Sequence, residues 1–102
     1  METQMNLQEN IQEIADVLGP ERIKDTLKKL SEIEAGRRLI DIKKLKSEMS
    51  SFEKRFNMSS EDAWRAYNRG DLGDDMDIME WMALYENLLE YQAEHDRLRK
   101  AC

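Results

Sequence analysis

The stretch Phe52–Trp81, FEKRFNMSSEDAWRAYNRGDLGDDMDIMEW, decides the fold because it holds the most specific helix-ending and helix-starting signals in the chain. Asn57 follows an apolar run, and Asn is the non-glycine residue that best tolerates the left-handed conformation that ends helices. Ser59 is a typical N-cap residue, and Asp62 adds negative charge to the first turn of the next helix. One helix therefore ends near Asn57 and a short capped helix begins after Ser59.

A second helix ending and a second helix start follow within the same stretch. Gly70 suits the position just past a helix that requires a positive φ, and Leu72 is placed for the apolar contact that accompanies such an ending. Asp74 or Asp75 then caps the last helix. Residues 52–81 thus predict a helix-turn-helix-like unit with a tight acidic turn.

Length and composition favour a small all-α protein. The chain has 102 residues, of which 40% are hydrophobic and 37% charged, with one proline and four glycines. Isoleucine and valine are sparse, and no stretch alternates apolar with polar residues as a half-buried strand does. We expect a cytoplasmic protein, because the N-terminus lacks a signal-peptide pattern, the only cysteine is Cys102, and no apolar run of membrane-spanning length occurs.

The hydrophobic spacing predicts the other helices. Residues 3–18 carry one apolar stripe, and Gly19–Pro20 ends that helix and starts the next. The stripe of the second helix fails near Gly36 and resumes from Leu39, which indicates either a break or a continuous long helix whose apolar face rotates. A long C-terminal helix is expected over roughly 74–100. We therefore divide the chain into an N-terminal helical arm, residues 1–35, and a helical domain, residues 36–102.

The arm has narrow apolar stripes and few partners within the chain, which points to a homodimer or to an intermittently docked arm. The last helix has a broader apolar face, which needs burial against neighbouring helices. The fold class predicted is thus all-α, with an N-terminal helix, a long and possibly broken central helix, a short capped helix and a long C-terminal helix.

Charge is distributed unevenly along the chain. Residues 22–46 contain nine basic and four acidic residues, a net of +5, whereas residues 71–96 contain nine acidic residues and no Lys or Arg, a net of −9. The formal net charge of −6 argues against a simple nucleic-acid-binding protein. The acidic segment can instead meet a basic protein surface and accelerate association, or it can be a solvated helix face that keeps the protein soluble.

The residues that enzymes and metal sites need are missing from the sequence. His95 is the only histidine, so one chain has no histidine pair for acid–base chemistry, and Cys102 has no companion thiol for a zinc site. The acidic cluster fails the EF-hand pattern whether the loop starts at Asp71 or at Asp75. We therefore expect no catalysis, no metal and no cofactor.

Four aromatic residues flank the acidic turn: Trp64, Tyr67, Trp81 and Tyr85. They pack in the core, or one of the tryptophans is exposed and anchors the protein in a pocket of a partner, since Trp and Tyr dominate interface hot spots.

The run FEKRFNMSSEDAWRAYNRGDLGDDMDIMEWMALYE resembles the C-terminal part of small bacterial and archaeal proteins that look like antitoxins of toxin–antitoxin systems, in particular those paired with TumE-type toxins. The resemblance covers about a third of the chain and leaves out residues 1–35. Asn57 stands where the family pattern has Gly, and Trp64 stands where it has Phe. The matching residues are Phe52, Glu53, Lys54, Met58, Ser59, Gly70, Asp71, Leu72, Gly73, Asp74, Asp75, Glu80 and Trp81.

The resemblance implies a cognate toxin as partner, and with the charge map it suggests how the toxin is neutralised. Toxins of such systems commonly act on RNA, so the acidic segment would cover a basic RNA-binding surface, with Trp81 as an apolar anchor. The expected partner-binding residues are Trp64, Tyr67, Asp71, Asp74, Asp75, Asp77, Glu80, Trp81 and Tyr85. Operator DNA is a further expected partner, through Lys28, Lys29, Arg37, Arg38, Lys43 and Lys44. Two alternatives remain: a self-associating scaffold protein, and a nucleic-acid-binding module that uses residues 22–46.

Overall fold

The computed structural model describes residues 4–101 and confirms the all-α architecture over them. Helix α1 spans Leu7–Leu18, α2 spans Pro20–Phe56, α3 spans Ser60–Asn68 and α4 spans Met76–Lys100. Helices α3 and α4 fold back on the C-terminal half of α2, and α1 lies beside the N-terminal part of α2. The molecule is elongated, with extents of 57 × 30 × 20 Å, because α2 runs far beyond the core. No helix within the described residues is long and apolar enough to cross a membrane.

Helix α1 is bounded by local signals at both ends. Asn6 is its N-cap, and the Asn6 side chain accepts a hydrogen bond of 2.8 Å from the Glu9 amide. Its C-cap residue Gly19 has a φ of 90°, and Pro20 starts α2 at the first helical position, as the Gly–Pro pair predicts. The predicted start at residue 3 lies outside the described residues, and α1 itself begins at Leu7.

Helix α2 is continuous through Gly36, so the second of the two sequence alternatives is confirmed. Glycine costs about 1 kcal/mol in a helix interior, which tertiary packing on both sides can offset. Here Ala35 is buried beside it, and Arg38, two residues later, pairs with Glu94 of α4. The proposed boundary between residues 35 and 36 therefore falls inside one unbroken helix, and the arm is an extension of the domain.

The two helix endings predicted from Asn57 and Gly70 are confirmed. Asn57 adopts the left-handed conformation, with a φ of 53°, and the Met58 amide donates to the carbonyl of Glu53 at 3.2 Å. Gly70 has a φ of 81° and donates to the carbonyl of Tyr67 at 3.0 Å. Both helices thus end with backbone hydrogen bonds that satisfy their last carbonyl groups.

The two predicted helix starts differ in their chemistry. Ser59 caps α3 as expected, since its hydroxyl accepts from the Asp62 amide at 3.1 Å. Asp75 takes the N-cap position of α4, but its side chain makes no capping hydrogen bond. The acidic side chains around Asp75 consequently favour the start of α4 through its dipole and not through a capping bond.

The core surrounds Trp81, which is fully buried with 0% exposure. Phe52 and Phe56 of α2 stack on its ring at centroid distances of 5.9 and 5.4 Å. Ala63 of α3 is also fully buried, so α3 approaches the other helices closely. The remaining core side chains come from α2 and α4: Ile42, Leu45, Met49, Ile78, Met82 and Leu88.

Candidate functional site

Burial of Trp81 overturns its predicted role as an exposed anchor. Its ring is enclosed by α2 and α3, and its indole Nε1–H donates a 2.9 Å hydrogen bond to the hydroxyl of Ser60. That hydroxyl donates in turn to Oε2 of Glu53 at 2.9 Å, and the Ser60 amide donates to the same oxygen at 2.9 Å. Trp81 holds three helices together and cannot reach a partner while the protein is folded.

Trp64 and Tyr85 form a second aromatic pair, across α3 and α4. Their ring centroids lie 5.3 Å apart with the rings tilted by 47°, and both side chains are half-buried. Burial raises the pKa of Tyr85 above its usual 10.0, and the charge of Glu61 raises it further. Tyr67 is half-buried beside the same core. These three residues are therefore packing residues with exposed edges, and they do not make an exposed aromatic anchor.

The acidic residues of the α3–α4 turn fall into two groups. Asp71 pairs with Nε of Arg69 at 3.1 Å, and Asp77 pairs with Arg55 of α2 at 2.5 Å. Asp74 and Asp75 are exposed and form no ion pair within the described residues, and Glu80 shares both properties. The unpaired carboxylates carry the negative potential at this end of the molecule.

Helix α4 has an exposed side, opposite the core, on which acidic residues and methionines lie. Its exposed residues recur at helical spacing on the side opposite Trp81, and we name this side the acidic face: Met76, Met79, Glu80, Ala83, Glu86 and Glu90. Met76 is 83% exposed and Met79 is 51% exposed. The face therefore combines three carboxylates with two flexible apolar side chains.

Met76 and Met79 are the exposed apolar side chains of this face, whereas Trp81 is buried. Methionine has three rotatable bonds and a polarizable sulfur, so exposed methionines adapt to surfaces of different shape. Their spacing could have identified them, because Met76 and Met79 interrupt an otherwise polar side of the last helix.

Two of the basic residues predicted to contact DNA are paired with acidic side chains of this chain. Arg38 points at α4, where its Nε lies 2.5 Å from Glu94 and its guanidinium lies 5.6 Å from the Tyr91 ring centroid. The hydrogen bond to Glu94 raises the pKa of Arg38. Arg37 pairs with Glu34 at 3.1 Å along α2. Lys28, Lys29, Lys43 and Lys44 are exposed and form no ion pair within the described residues, so DNA contact through them stays a prediction.

The structure offers no cluster of metal-ligating side chains among residues 4–101. Nδ1 of His95 lies 3.3 Å from the neighbouring Asp96, and Cys102 lies outside the described residues. A crevice beside Tyr85 measures about 410 Å³ and is open to solvent. Its Glu53 and Ser60 are already engaged in the hydrogen bonds to the core.

Comparison with known proteins found no matching family model, no matching curated protein and no matching solved structure.

Proposed function

We propose that this protein is an antitoxin-like interaction module that binds a basic surface of a partner protein through the acidic face of α4 and the adjoining acidic turn. The single observation that carries the proposal is the composition of this face. Exposed, unpaired carboxylates lie beside the exposed Met76 and Met79 on one side of one helix. The partner class, a cognate toxin with a basic substrate-binding surface, comes from the resemblance of residues 52–86.

Electrostatics and packing have different tasks in this proposal. Residues 71–96 carry a net charge of −9, of which Asp71, Asp77 and Glu94 are paired with arginines. The unpaired carboxylates steer an oppositely charged partner and raise its association rate, most strongly at low salt. Exposed carboxylates contribute little to the lifetime of a complex once salt screens them. The two methionines supply adaptable apolar area, which lowers the dissociation rate.

Binding requires no opening of the fold. The acidic face lies opposite the buried side of α4, so a partner that covers it leaves Trp81 and its hydrogen bond to Ser60 intact. A toxin whose RNA-binding groove is filled by such a helix loses access to its substrate. Neutralisation by occlusion therefore needs no chemistry from this chain.

The experiment measures association of the protein with the product of the adjacent gene by stopped-flow kinetics at several salt concentrations. We expect the variant Asp74→Asn/Asp75→Asn/Glu80→Gln to bind at least about tenfold more slowly at low salt, with the difference shrinking as salt rises. The control Glu9→Gln/Glu13→Gln/Asp16→Asn removes three carboxylates from α1 and leaves the rate within about threefold of the wild type.

A second pair of variants tests the apolar contact. Met76→Ser/Met79→Ser should raise the dissociation rate about tenfold or more while leaving the association rate unchanged. Equal effects of the turn variant and the α1 control would show that net charge alone governs binding. No binding of the wild-type protein to the co-encoded product would refute the antitoxin assignment.

A further inference from the structure

Helix α2 has an exposed apolar side that no other element covers. Leu30, Ile33 and Ile40 are 53%, 55% and 68% exposed. They lie on the side of α2 opposite Ala35, Ile42 and Met49, which are buried against the core. A helix that is apolar on two opposite sides needs a partner on each side to bury both.

Heptad positions can be assigned to the exposed side over residues 22–48, with apolar residues at four of the eight inward positions. We name its inward positions the α2 seam: Ile23, Leu30, Arg37 and Lys44 at the a positions, and Thr26, Ile33, Ile40 and Ser47 at the d positions. Arg22, Lys29, Gly36 and Lys43 occupy the flanking g positions, and Leu27, Glu34, Asp41 and Glu48 occupy the flanking e positions. The buried Ala35, Ile42 and Met49 are f positions, which face away from a seam of this kind.

We propose that the α2 seam binds a second copy of this chain, with the two α2 helices parallel and in register. The flanking charges carry the choice of partner. Every charged e residue is acidic and every charged g residue is basic, so the chain is complementary to itself.

The same charges choose the orientation. In a parallel pair a g residue faces the e residue five positions later on the other helix, which sets Lys29 against Glu34 and Lys43 against Glu48 of the second copy. An antiparallel pair sets e against e and g against g, so the carboxylates of Glu34 and Asp41 would face carboxylates. Like charges at these positions disfavour the antiparallel pair.

Two a positions of the seam are charged, which costs stability. Arg37 and Lys44 place charges at two a positions, and a charged residue there weakens a coiled coil while fixing its register and oligomeric state. In the single chain Arg37 is bonded to Glu34 at 3.1 Å, and its side chain is 68% exposed. The guanidinium can therefore remain at the edge of the interface and keep that pair.

The position of α1 is compatible with this assembly. Ile11 and Ile14 of α1 share an apolar crevice with Ile23, Thr26 and Leu27 of α2, so α1 lies over the first heptad of the seam. They leave Leu30, Ile33 and Ile40 uncovered.

The first experiment measures mass against concentration by sedimentation equilibrium. The wild-type protein should form dimers, and Ile33→Gln should raise the dissociation constant at least about tenfold without a change in helical circular dichroism. Leu39→Gln is the matched control, because Leu39 lies on the same helix, is 47% exposed and stands outside the seam. A wild-type monomer at all concentrations would overturn the proposal, as would equal weakening by the control.

The second experiment tests orientation with charge reversals. Lys29→Glu and Glu34→Lys should each weaken the dimer at least about fivefold, and the double variant should restore the wild-type constant. No restoration in the double variant would overturn the parallel pairing.

Cysteine cross-linking gives an independent reading in a Cys102→Ser background. Leu30→Cys and Ile40→Cys should both cross-link to their own counterparts, because identical seam positions meet only in a parallel pair. If neither variant cross-links to itself while a mixture of the two does, the pair is antiparallel and the proposal fails. Since these variants leave the acidic face unchanged, binding of the co-encoded product reports separately on the proposed function.

Discussion

Replacing Ser60 by alanine should lower the free energy of unfolding by about 2 kcal/mol. Ser60 is buried, with 4% of its surface exposed. Its hydroxyl accepts a hydrogen bond from the Trp81 indole and donates one to Glu53. Alanine keeps the helix but removes both hydrogen bonds. The Ser60→Ala variant therefore isolates the polar contact that joins α2, α3 and α4.

The magnitude follows from what each partner loses. The Trp81 ring is 0% exposed, so its N–H stays buried without an acceptor, which costs about 1–3 kcal/mol. Glu53 retains the hydrogen bond from the Ser60 amide at 2.9 Å and is half-buried, so water can replace part of its loss. Ser60 is the first residue of α3, so the higher helix propensity of alanine, which applies to helix interiors, changes this cost little.

Equilibrium urea unfolding followed by circular dichroism measures the effect, with all variants at one protein concentration because association shifts the midpoint. Ser51→Ala is the matched control, since Ser51 is exposed and its hydroxyl donates only to the carbonyl of Glu48 within α2. We expect the control to stay within about 0.5 kcal/mol of the wild type.

A loss below about 0.5 kcal/mol for Ser60→Ala would refute the reasoning, because it would mean that the indole N–H finds another acceptor or is not desolvated. The double variant Ser60→Ala/Trp81→Phe provides a check. It removes donor and acceptor together, so its cost should be smaller than the sum of the two single costs.

Three further predictions concern the backbone conformation at two positions and the ionisation of Tyr85. Asn57→Ala should cost about 1 kcal/mol in urea unfolding, because Asn57 has a φ of 53°, whereas Asn57→Gly should remain within a few tenths. Gly36→Ala should raise stability by about 0.5–1 kcal/mol in the same assay, since Gly36 lies inside α2 and an added Cβ meets no atom within 4 Å. Burial raises the pKa of Tyr85 in the folded protein above the usual 10.0. The neutral Tyr85 side chain therefore contributes its full stability below pH 10, and this contribution is lost as pH rises through the folded pKa. Between about pH 9 and pH 11 the Tyr85→Phe variant should consequently lose less stability than the wild type.

The elements that sequence predicted correctly are those governed by local chemistry. The endings at Asn57 and Gly70 and the cap at Ser59 depend on residues within about one turn of each other, so their signals are complete in a short window. The interruption of the apolar stripe near Gly36 is compatible with either a break or a continuous helix, so the sequence alone did not distinguish the two. That outcome depends on α4, whose Glu94 pairs with Arg38 two residues beyond Gly36.

The candidate site was harder to predict because periodicity does not tell which aromatic residue the neighbouring helices enclose. Trp81 and Tyr85 lie one turn apart on the same side of α4, yet only Trp81 is stacked by Phe52 and Phe56. The role of Ser60 was missed for a similar reason. Its hydrogen bond to Trp81 joins residues 21 positions apart, and nothing in the local sequence distinguishes it from the capping Ser59 beside it.

The two proposals meet in the geometry of α2. This helix carries the core on one side and the α2 seam on the opposite side, and the acidic face lies on the far side of α4 from α2. A parallel dimer through the seam would consequently place its two acidic faces at the outside, directed away from each other. A partner bound at one face would not obstruct the other, so both proposals together require a complex of two copies of this chain with two partners. Light scattering of the purified complex distinguishes this stoichiometry from a complex of one copy of each, which would mean that partner binding and dimerisation compete.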